Sequence, residues 1–261
     1  MNLVALPAFH DNYIWLLHDA EQALVVDPGE ASVVQQALAQ RQLQLSGILV
    51  THHHADHVGG VAQLVAEHGA TVWGPASLQL PGVDIQPCLG DEVLDWAGLT
   101  IEVLATPGHT LDHLAFVLRA QAALEEPLLF CGDTLFSAGC GRLFEGQPAQ
   151  LHASLQRLAS LPPHTRVCCA HEYTLANLRF ARMLQPELAA LQAHEAWAQA
   201  QRRHNLPTLP STLAKEREIN PYLRCDSPAL AAAAQRFAPQ LNPQDPIAVL
   251  AALRQWKNEF Q

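Results

Sequence analysis

Between residues 51 and 57 the chain reads Thr-His-His-His-Ala-Asp-His, so five of seven consecutive side chains can bind a transition metal. Four imidazoles and a carboxylate in a row do not serve as packing, because buried polar groups need partners and buried charges need pairing. The run follows Gly47-Ile48-Leu49-Val50, a short apolar strand, and precedes Gly59-Gly60 and a helical pattern. A strand, a tight loop and a helix start form a rigid scaffold that presents binding groups. Side chains alternate along an extended segment, so His52 and His54 point to one side. Asp56 and His57 come after the chain turns into the helix and can face a different point. Two donor sets from one loop suggest two adjacent metals, and the spacing is not the i, i+4 pair of a helical His-Glu-x-x-His site. Imidazole suits zinc, iron and related ions, and a carboxylate can bridge two of them.

Three later residues sit in similar settings. His109 lies in Thr106-Pro107-Gly108-His109-Thr110, Asp133 in Phe130-Cys131-Gly132-Asp133-Thr134, and His171 follows Val167-Cys168-Cys169-Ala170. Each is a polar residue at the end of a predicted strand, beside a small residue or a turn. With the loop they make a set of five histidines and two aspartates.

Around this set, apolar patterning predicts strands over 13–17, 23–26, 48–50, 71–73, 99–104, 114–118, 128–131 and 167–169. Helical patterns lie over 31–42, 61–68 (closed by Gly69) and 149–158. Strands interleaved with helices indicate α/β layering. After residue 172 strand patterns vanish, and helices are expected over 175–184, 187–204, 229–237 and 246–260. The 187–204 segment opens on Glu187 and closes on Arg202-Arg203-His204, which suits a helix dipole. The expected organisation is an α/β domain over 1–171 and an all-helical domain over 172–261.

Composition narrows the partners. The 261 residues are 49% hydrophobic and carry a formal net charge of −10. A polyanion partner is disfavoured, since nucleic-acid binders show a basic footprint, whereas a small anion can be held by a few clustered cations. The six cysteines form no Cys-x-x-Cys pair, which fits reduced thiols in a reducing compartment. The N-terminal segment lacks a basic region followed by a long apolar run, and no stretch approaches 18 apolar residues. The expectation is a cytoplasmic, soluble monomer that binds neither nucleic acid nor membrane.

The run THHHADH resembles the T-H-x-H-x-D-H signature of the metallo-β-lactamase superfamily, and TPGHT, GDTLF and a later histidine follow in that superfamily's order. This resemblance implies an αββα sandwich with the site at one edge of the sheets. It implies one metal on His52, His54 and His109, a second on Asp56, His57 and His171, and Asp133 as the bridging carboxylate. His53 is the x of the motif and takes no ligand role, and His113 supports the site without ligating. His10, His18, His68, His152, His164, His194 and His204 are read as surface or satisfied histidines.

Five further segments resemble the glyoxalase II (hydroxyacylglutathione hydrolase) family and span nearly the whole chain. They are LPAFHDNYIWLL (6–17), GDTLFSAGCGRLFEG (132–146), HEYTLANLRFA (171–181), EREINPYLR (216–224) and RQWKNEF (254–260). The implied activity is hydrolysis of S-2-hydroxyacylglutathione, such as S-D-lactoylglutathione, to glutathione and a 2-hydroxy acid such as D-lactate, the second step of methylglyoxal detoxification. The implied cofactors are two divalent ions, zinc first, with iron and manganese also suited. A metal-bridging hydroxide would attack the thioester, with Asp56 and Asp133 as the catalytic carboxylates. Arg142, Phe144, Tyr173, Arg254 and Lys257 match positions that contact the glutathione moiety. Read alone, Arg254 and Lys257 share a helix face and would complement a helix C-terminus. Phe144 stands where the family often has tyrosine, Asp112 where it often has glycine, and NPYLR where it usually has NPFLR.

Other readings exist. A persulfide dioxygenase of the superfamily would use one iron and lack the long helical domain. A nuclease needs a basic surface that the net charge argues against. A metal-stabilised binding module would be expected to have lost donors, and the set of seven is complete.

Overall fold

The computed structural model describes residues 1–260, and Gln261, the last residue of the expected helical domain, lies outside them. Along the chain run β1 (Asn2–Ala8), β2 (Asn12–His18), β3 (Gln22–Val26), α1 (Ala31–Arg41), β4 (Gln44–Leu49), α2 (Ala55–Val58), α3 (Val61–His68), β5 (Thr71–Pro75), β6 (Ile85–Cys88), β7 (Val93–Trp96), β8 (Leu99–Ala105), β9 (Leu114–Leu118) and β10 (Leu128–Gly132). A short hairpin follows, β11 (Leu135–Phe136) and β12 (Gly139–Cys140), then α4 (Pro148–Ala159), β13 (Arg166–Cys169), α5 (Thr174–Leu184), α6 (Ala189–Arg203) and β14 (Ser211–Thr212). The chain closes with α7 (Leu213–Ile219), a 3-10 turn (Pro221–Leu223), α8 (Pro228–Phe237) and α9 (Pro246–Glu259). Packing divides these elements into two compact units. One holds residues 1–106, 112–132 and 166–171, and the other 107–111, 133–165 and the described residues from Glu172 onward.

The first unit is built on two sheets. One runs β1-β2-β3-β4-β5-β6, antiparallel from β1 to β3 and parallel from β3 to β6. In the other, β13-β10-β9-β8-β7 are successive neighbours, with β13 parallel to β10 and the remaining pairs antiparallel. Near-continuous apolar runs explain why β9 and β10 are buried along their whole length. Two tryptophans join the sheets: the Trp15 indole donates to the Cys169 carbonyl at 3.0 Å, and the Trp96 indole to Ser46 Oγ at 2.9 Å. Helices α1 and α3 pack against the first sheet through Val34, Ala37, Leu38 and Leu64, in one core with Leu16, Ile48 and Val72. Gly69, in the left-handed region at φ 65°, closes α3 as expected.

Three strands of this unit, β1, β6 and β7, have no counterpart among the predicted ones, and neither do the two-residue β11, β12 and β14 of the second unit. The first three lie at sheet edges, where one side of the strand is unpaired and the apolar signal is weak. Pro7 in β1 and Pro87 in β6 belong to the same logic, since proline is tolerated in edge strands.

The second unit is helical, with the short hairpin and the two-residue β14 as its strands among the described residues. Leu178, Ala181, Leu191, Ala198 and Ile219 form a core between α5, α6 and α7. Helix α6 begins at Ala189, so Glu187 lies outside its first turn, while Arg202 and Arg203 occupy the last turn. Helix α7 was not predicted, because its only apolar anchors are widely spaced and it turns Glu216 inward. No helix among the described residues is long and apolar enough to cross a membrane.

Candidate active site

The donor loop starts where β4 ends. Thr51 is fully buried, and its N–H and hydroxyl both donate to the Asp27 carboxylate at 2.8 Å. His54 is the N-cap of α2 with extended φ/ψ of −61° and 145°, so the chain is extended through the histidines and turns helical at Ala55. His52 Nε2 and His54 Nδ1 accordingly lie on one side, 3.0 Å apart. His53 points the other way, its side chain 41% exposed and 3.6 Å from Asp112. His113 stacks on His52 with ring centroids 4.9 Å apart and bonds Thr106 Oγ1 through Nδ1 at 2.9 Å.

Asp56 and His57 face a second point. His57 Nδ1 is 3.0 Å from Asp27 Oδ2, and its Nε2 is 3.4 Å from Asp56 Oδ2. His171 Nε2 is 3.5 Å from the same Asp56 oxygen, and its Nδ1 is 2.9 Å from Asp11 Oδ1. Asn12 donates its side-chain amide to Asp56 Oδ2 at 3.0 Å. The His57 ring beside it, with Asn12 and His171 adding to the effect, holds the Asp56 carboxyl well below the usual carboxylate range against the opposing cost of burial. Donor atoms of Asp56, His57 and His171 all lie within 4.8 Å of one another.

Gly132, at the end of β10, allows this layout. Its φ is +45°, and a Cβ there would sit 2.4 Å from Thr51 Oγ1 and 2.8 Å from His113 Nε2. Only glycine fits so close an approach.

In the helical unit, His109 Nδ1 lies 2.9 Å from the Arg142 backbone carbonyl. A carbonyl only accepts, so Nδ1 carries the proton and Nε2 is the lone-pair nitrogen. That Nε2 is 3.4 Å from Asp133 Oδ2. Tetrahedral coordination with bonds of about 2.0–2.1 Å separates donors by roughly 3.3 Å. The pairs His57–Asp56, His171–Asp56 and His109–Asp133, at 3.4, 3.5 and 3.4 Å, have that spacing. The donor chemistry and geometry therefore fit metal ions.

His109 and Asp133 also line a cavity of about 500 Å³, together with Arg142, Phe144, Tyr173, Arg254 and Lys257. All five expected substrate residues thus share one cavity. Arg254 is 6% exposed; its Nη1 donates to the Cys140 carbonyl at 2.8 Å and its Nη2 to Asn258 Oδ1 at 3.1 Å. Lys257 donates to the Ala176 carbonyl at 2.9 Å. Burial pushes the Lys257 ammonium down to about 8, and the charges of Arg254, Arg179 and Arg142 push in the same direction. Phe144 is 62% exposed, with its ring edge-on to His109 at 5.2 Å.

Three residues behind the donors went unassigned in the sequence: Asp27, Asp11 and Asn12. Carboxylates hydrogen-bonded to metal-binding imidazoles fix the ring and its tautomer. Asp27 follows a strand directly, the same context that marked Asp133, and Asp11-Asn12 lie within the LPAFHDNYIWLL segment.

Sheets bearing histidine and aspartate donors on the loops that follow their strands define a metallohydrolase of the metallo-β-lactamase type, and residues 8–171 match the family model described as "Metallo-beta-lactamase superfamily". Residues 172–260 match the model "Hydroxyacylglutathione hydrolase C-terminus". The chain is 54% identical over 260 residues to the hydroxyacylglutathione hydrolase of Albidiferax ferrireducens, covering 100% of both sequences. Among solved structures it is similar to ETHE1 from Myxococcus xanthus, with a TM-score of 0.66 and 24% identity over 100% of both chains. It is also similar to TTHA1623 in a di-iron-bound form, with a TM-score of 0.52 and 31% identity over 66% of this chain and 92% of that one. The chain belongs to the hydroxyacylglutathione hydrolase family, the thiolester hydrolases also called glyoxalase II. Its fold is the expected metallo-β-lactamase fold followed by a helical region, and that fold and the histidine/aspartate cluster indicate a binuclear metal site.

Proposed function

We propose that this chain hydrolyses S-2-hydroxyacylglutathione thioesters, S-D-lactoylglutathione first among them, to glutathione and the 2-hydroxy acid. The observation that carries this reading is the single cavity in which Arg142, Arg254 and Lys257 share walls with His109 and Asp133. A glutathione thioester carries two carboxylates, and in a protein of net charge −10 such a gathering of cations marks where an anion binds. Residues 1–171 supply the catalytic domain and 172–261 the substrate-binding domain, a division supported by the two family models meeting between residues 171 and 172.

His52, His54 and His109 would hold one ion, Asp56, His57 and His171 the other, and Asp133 would serve both. When bound, such ions lower the pKa of a water toward neutrality and polarise the carbonyl under attack. The chain's own groups do the rest. Asp56, held by Asn12, orients the attacking water through its carboxylate. Arg254 and Lys257 hold the carboxylates of the glutathione moiety, and the planar guanidinium of Arg142 can grip one of them bidentately. Tyr173, which also lines the cavity, offers a hydroxyl, and Phe144 an apolar edge. Asp27 and Asp11 keep the rings of His57 and His171 aimed. Zinc is the ion we assign first, and iron and manganese suit the same donors. Six buried cysteines with no disulfide among them support a reducing, cytoplasmic setting. We read the protein as a monomer whose partner is the small thioester, with no nucleic acid or membrane.

Steady-state assays on S-D-lactoylglutathione and on two thioesters lacking glutathione test this reading. The expected result is a KM for the glutathione thioester lower by about tenfold or more. Equal kcat/KM on all three substrates would remove the role given to the cation cluster.

A further inference from the structure

The segment EREINPYLR contributes no side chain to the walls of the cavity, yet its Glu216 and Asn220 are buried completely. Glu216 sits within α7. Its Oε2 accepts the Ala138 N–H at 2.8 Å and the Asn220 amide at 3.2 Å, and its Oε1 accepts the Ser211 hydroxyl. Burial pushes its carboxyl up, against these hydrogen bonds. Asn220 ends α7, and its Nδ2 also donates to the carbonyls of Phe136 at 3.0 Å and Gly139 at 2.9 Å. Its Oδ1 accepts the Tyr222 N–H at 3.1 Å.

These bonds converge on the turn between β11 and β12. Asn177 adds one more, to the Ser137 carbonyl at 3.1 Å. The turn needs external support, because Ala138 has φ +54°, a conformation that tight hairpins ordinarily give to glycine or asparagine. A side-chain carboxylate taking the Ala138 N–H holds the backbone in that disfavoured state.

The strands on either side of the turn face the cavity. Phe136 lines it and meets the Tyr173 ring edge-on at 5.1 Å. Cys140 lines it too, and its carbonyl takes the hydrogen bond from Arg254 Nη1. The buried Arg254 Nε has no hydrogen-bond partner of its own, so that carbonyl and Asn258 are what fix the guanidinium's hydrogen-bonding geometry. If α7 were packing alone, an apolar residue in place of Glu216 would avoid the cost of burying a carboxylate.

We propose that Glu216 and Asn220 are positioning residues for substrate binding: by pinning the 137–138 turn they set where the Cys140 carbonyl holds the Arg254 guanidinium, and so set affinity for the glutathione moiety. This inference rests on the glutathione-thioester reading above.

The test compares Asn220→Ala and Glu216→Gln with the wild type, on S-D-lactoylglutathione and on a small thioester lacking glutathione, with metal content measured throughout. Asn220→Ala removes both donors to the hairpin, and its KM for the glutathione thioester is expected to rise about fivefold or more with kcat within about twofold. Its KM for the small thioester and its metal content are expected to stay unchanged. Glu216→Gln keeps an acceptor for Ala138 and is expected to stay within about twofold of wild type in every parameter. An unshifted KM in Asn220→Ala, a parallel rise for both substrates, or a joint fall in kcat and metal content overturns the proposal. Should Asn220→Ala fail to fold, Ser211→Ala loosens Glu216 more gently; a KM rise of about twofold or more for the glutathione thioester alone supports the proposal, and no rise overturns it. A wild type that does not turn over S-D-lactoylglutathione overturns the underlying reading and this inference with it. A wild type that does, beside an unshifted Asn220→Ala, overturns this inference alone.

Discussion

Asp27 Oδ2 lies 3.0 Å from His57 Nδ1, and both side chains are buried. The same carboxylate takes the N–H and hydroxyl of Thr51. One acid at the end of β3 therefore fixes the start of the donor loop and aims the last ring on it. Partners of this kind behind a metal-binding imidazole are worth about 10–100-fold in metal affinity or activity. Asp27→Asn is expected to weaken metal binding by about that factor while the fold persists. Competition against a chelator of known affinity measures it, and an unchanged affinity would remove Asp27 from the site.

Asp27 also shows which parts of the site could be read from the chain. The seven proposed donors were legible because five metal-binding groups crowd into residues 51–57, and because His109, Asp133 and His171 each follow an apolar run closely. Asp27, Asp11 and Asn12 act through approaches that no local pattern encodes. Asp11 meets His171 across 160 residues of sequence. The central strands were legible as apolar runs, whereas the edge strands β1, β6 and β7 were not, since they mix polar residues and prolines into half-exposed surfaces. Helix α7 escaped for a related reason. Its Glu216 looks like a solvent-facing charge and is in fact turned inward onto the hairpin.

Lys257 predicts a pH dependence. Its ammonium is pushed down to about 8 from an ordinary value of 10.5. Between those values the unfolded chain holds a proton that the folded chain has released, so stability from this group rises with pH across that window. The penalty for burying the charge is present in full below about pH 8. Substrate binding runs the opposite way, because an anion needs the charged form. KM for the glutathione thioester is expected to climb above about pH 8, approaching tenfold near pH 9, while kcat at saturation follows no such course. Lys257→Arg is expected to flatten this profile. A wild-type KM that stays level from pH 7 to about 9.5 contradicts the role given to Lys257.

Gly132→Ala is expected to be costly. The added Cβ would meet Thr51 Oγ1 at 2.4 Å in a backbone conformation that L side chains rarely adopt. Strain and displacement together are expected to cost about 2–4 kcal/mol. Denaturant unfolding of the metal-loaded protein checks this, and a loss under about 0.5 kcal/mol would show that the neighbouring Thr51 and His113 yield easily.

Phe144→Tyr adds a phenol hydroxyl to the cavity wall. Its ring lines the cavity beside His109. One hydrogen bond to the substrate is worth about 0.5–1.5 kcal/mol, so KM should fall by roughly 2–10-fold with kcat unchanged. An unaltered KM would place this ring out of reach of the glutathione moiety.

The most direct test is metal analysis paired with turnover of S-D-lactoylglutathione on the same preparation. The expected result is two divalent ions per chain, activity lost as the ions are removed and regained as they are restored. Full thioesterase activity in protein verified to be free of metal would contradict the assignment of His52, His54, Asp56, His57, His109, Asp133 and His171.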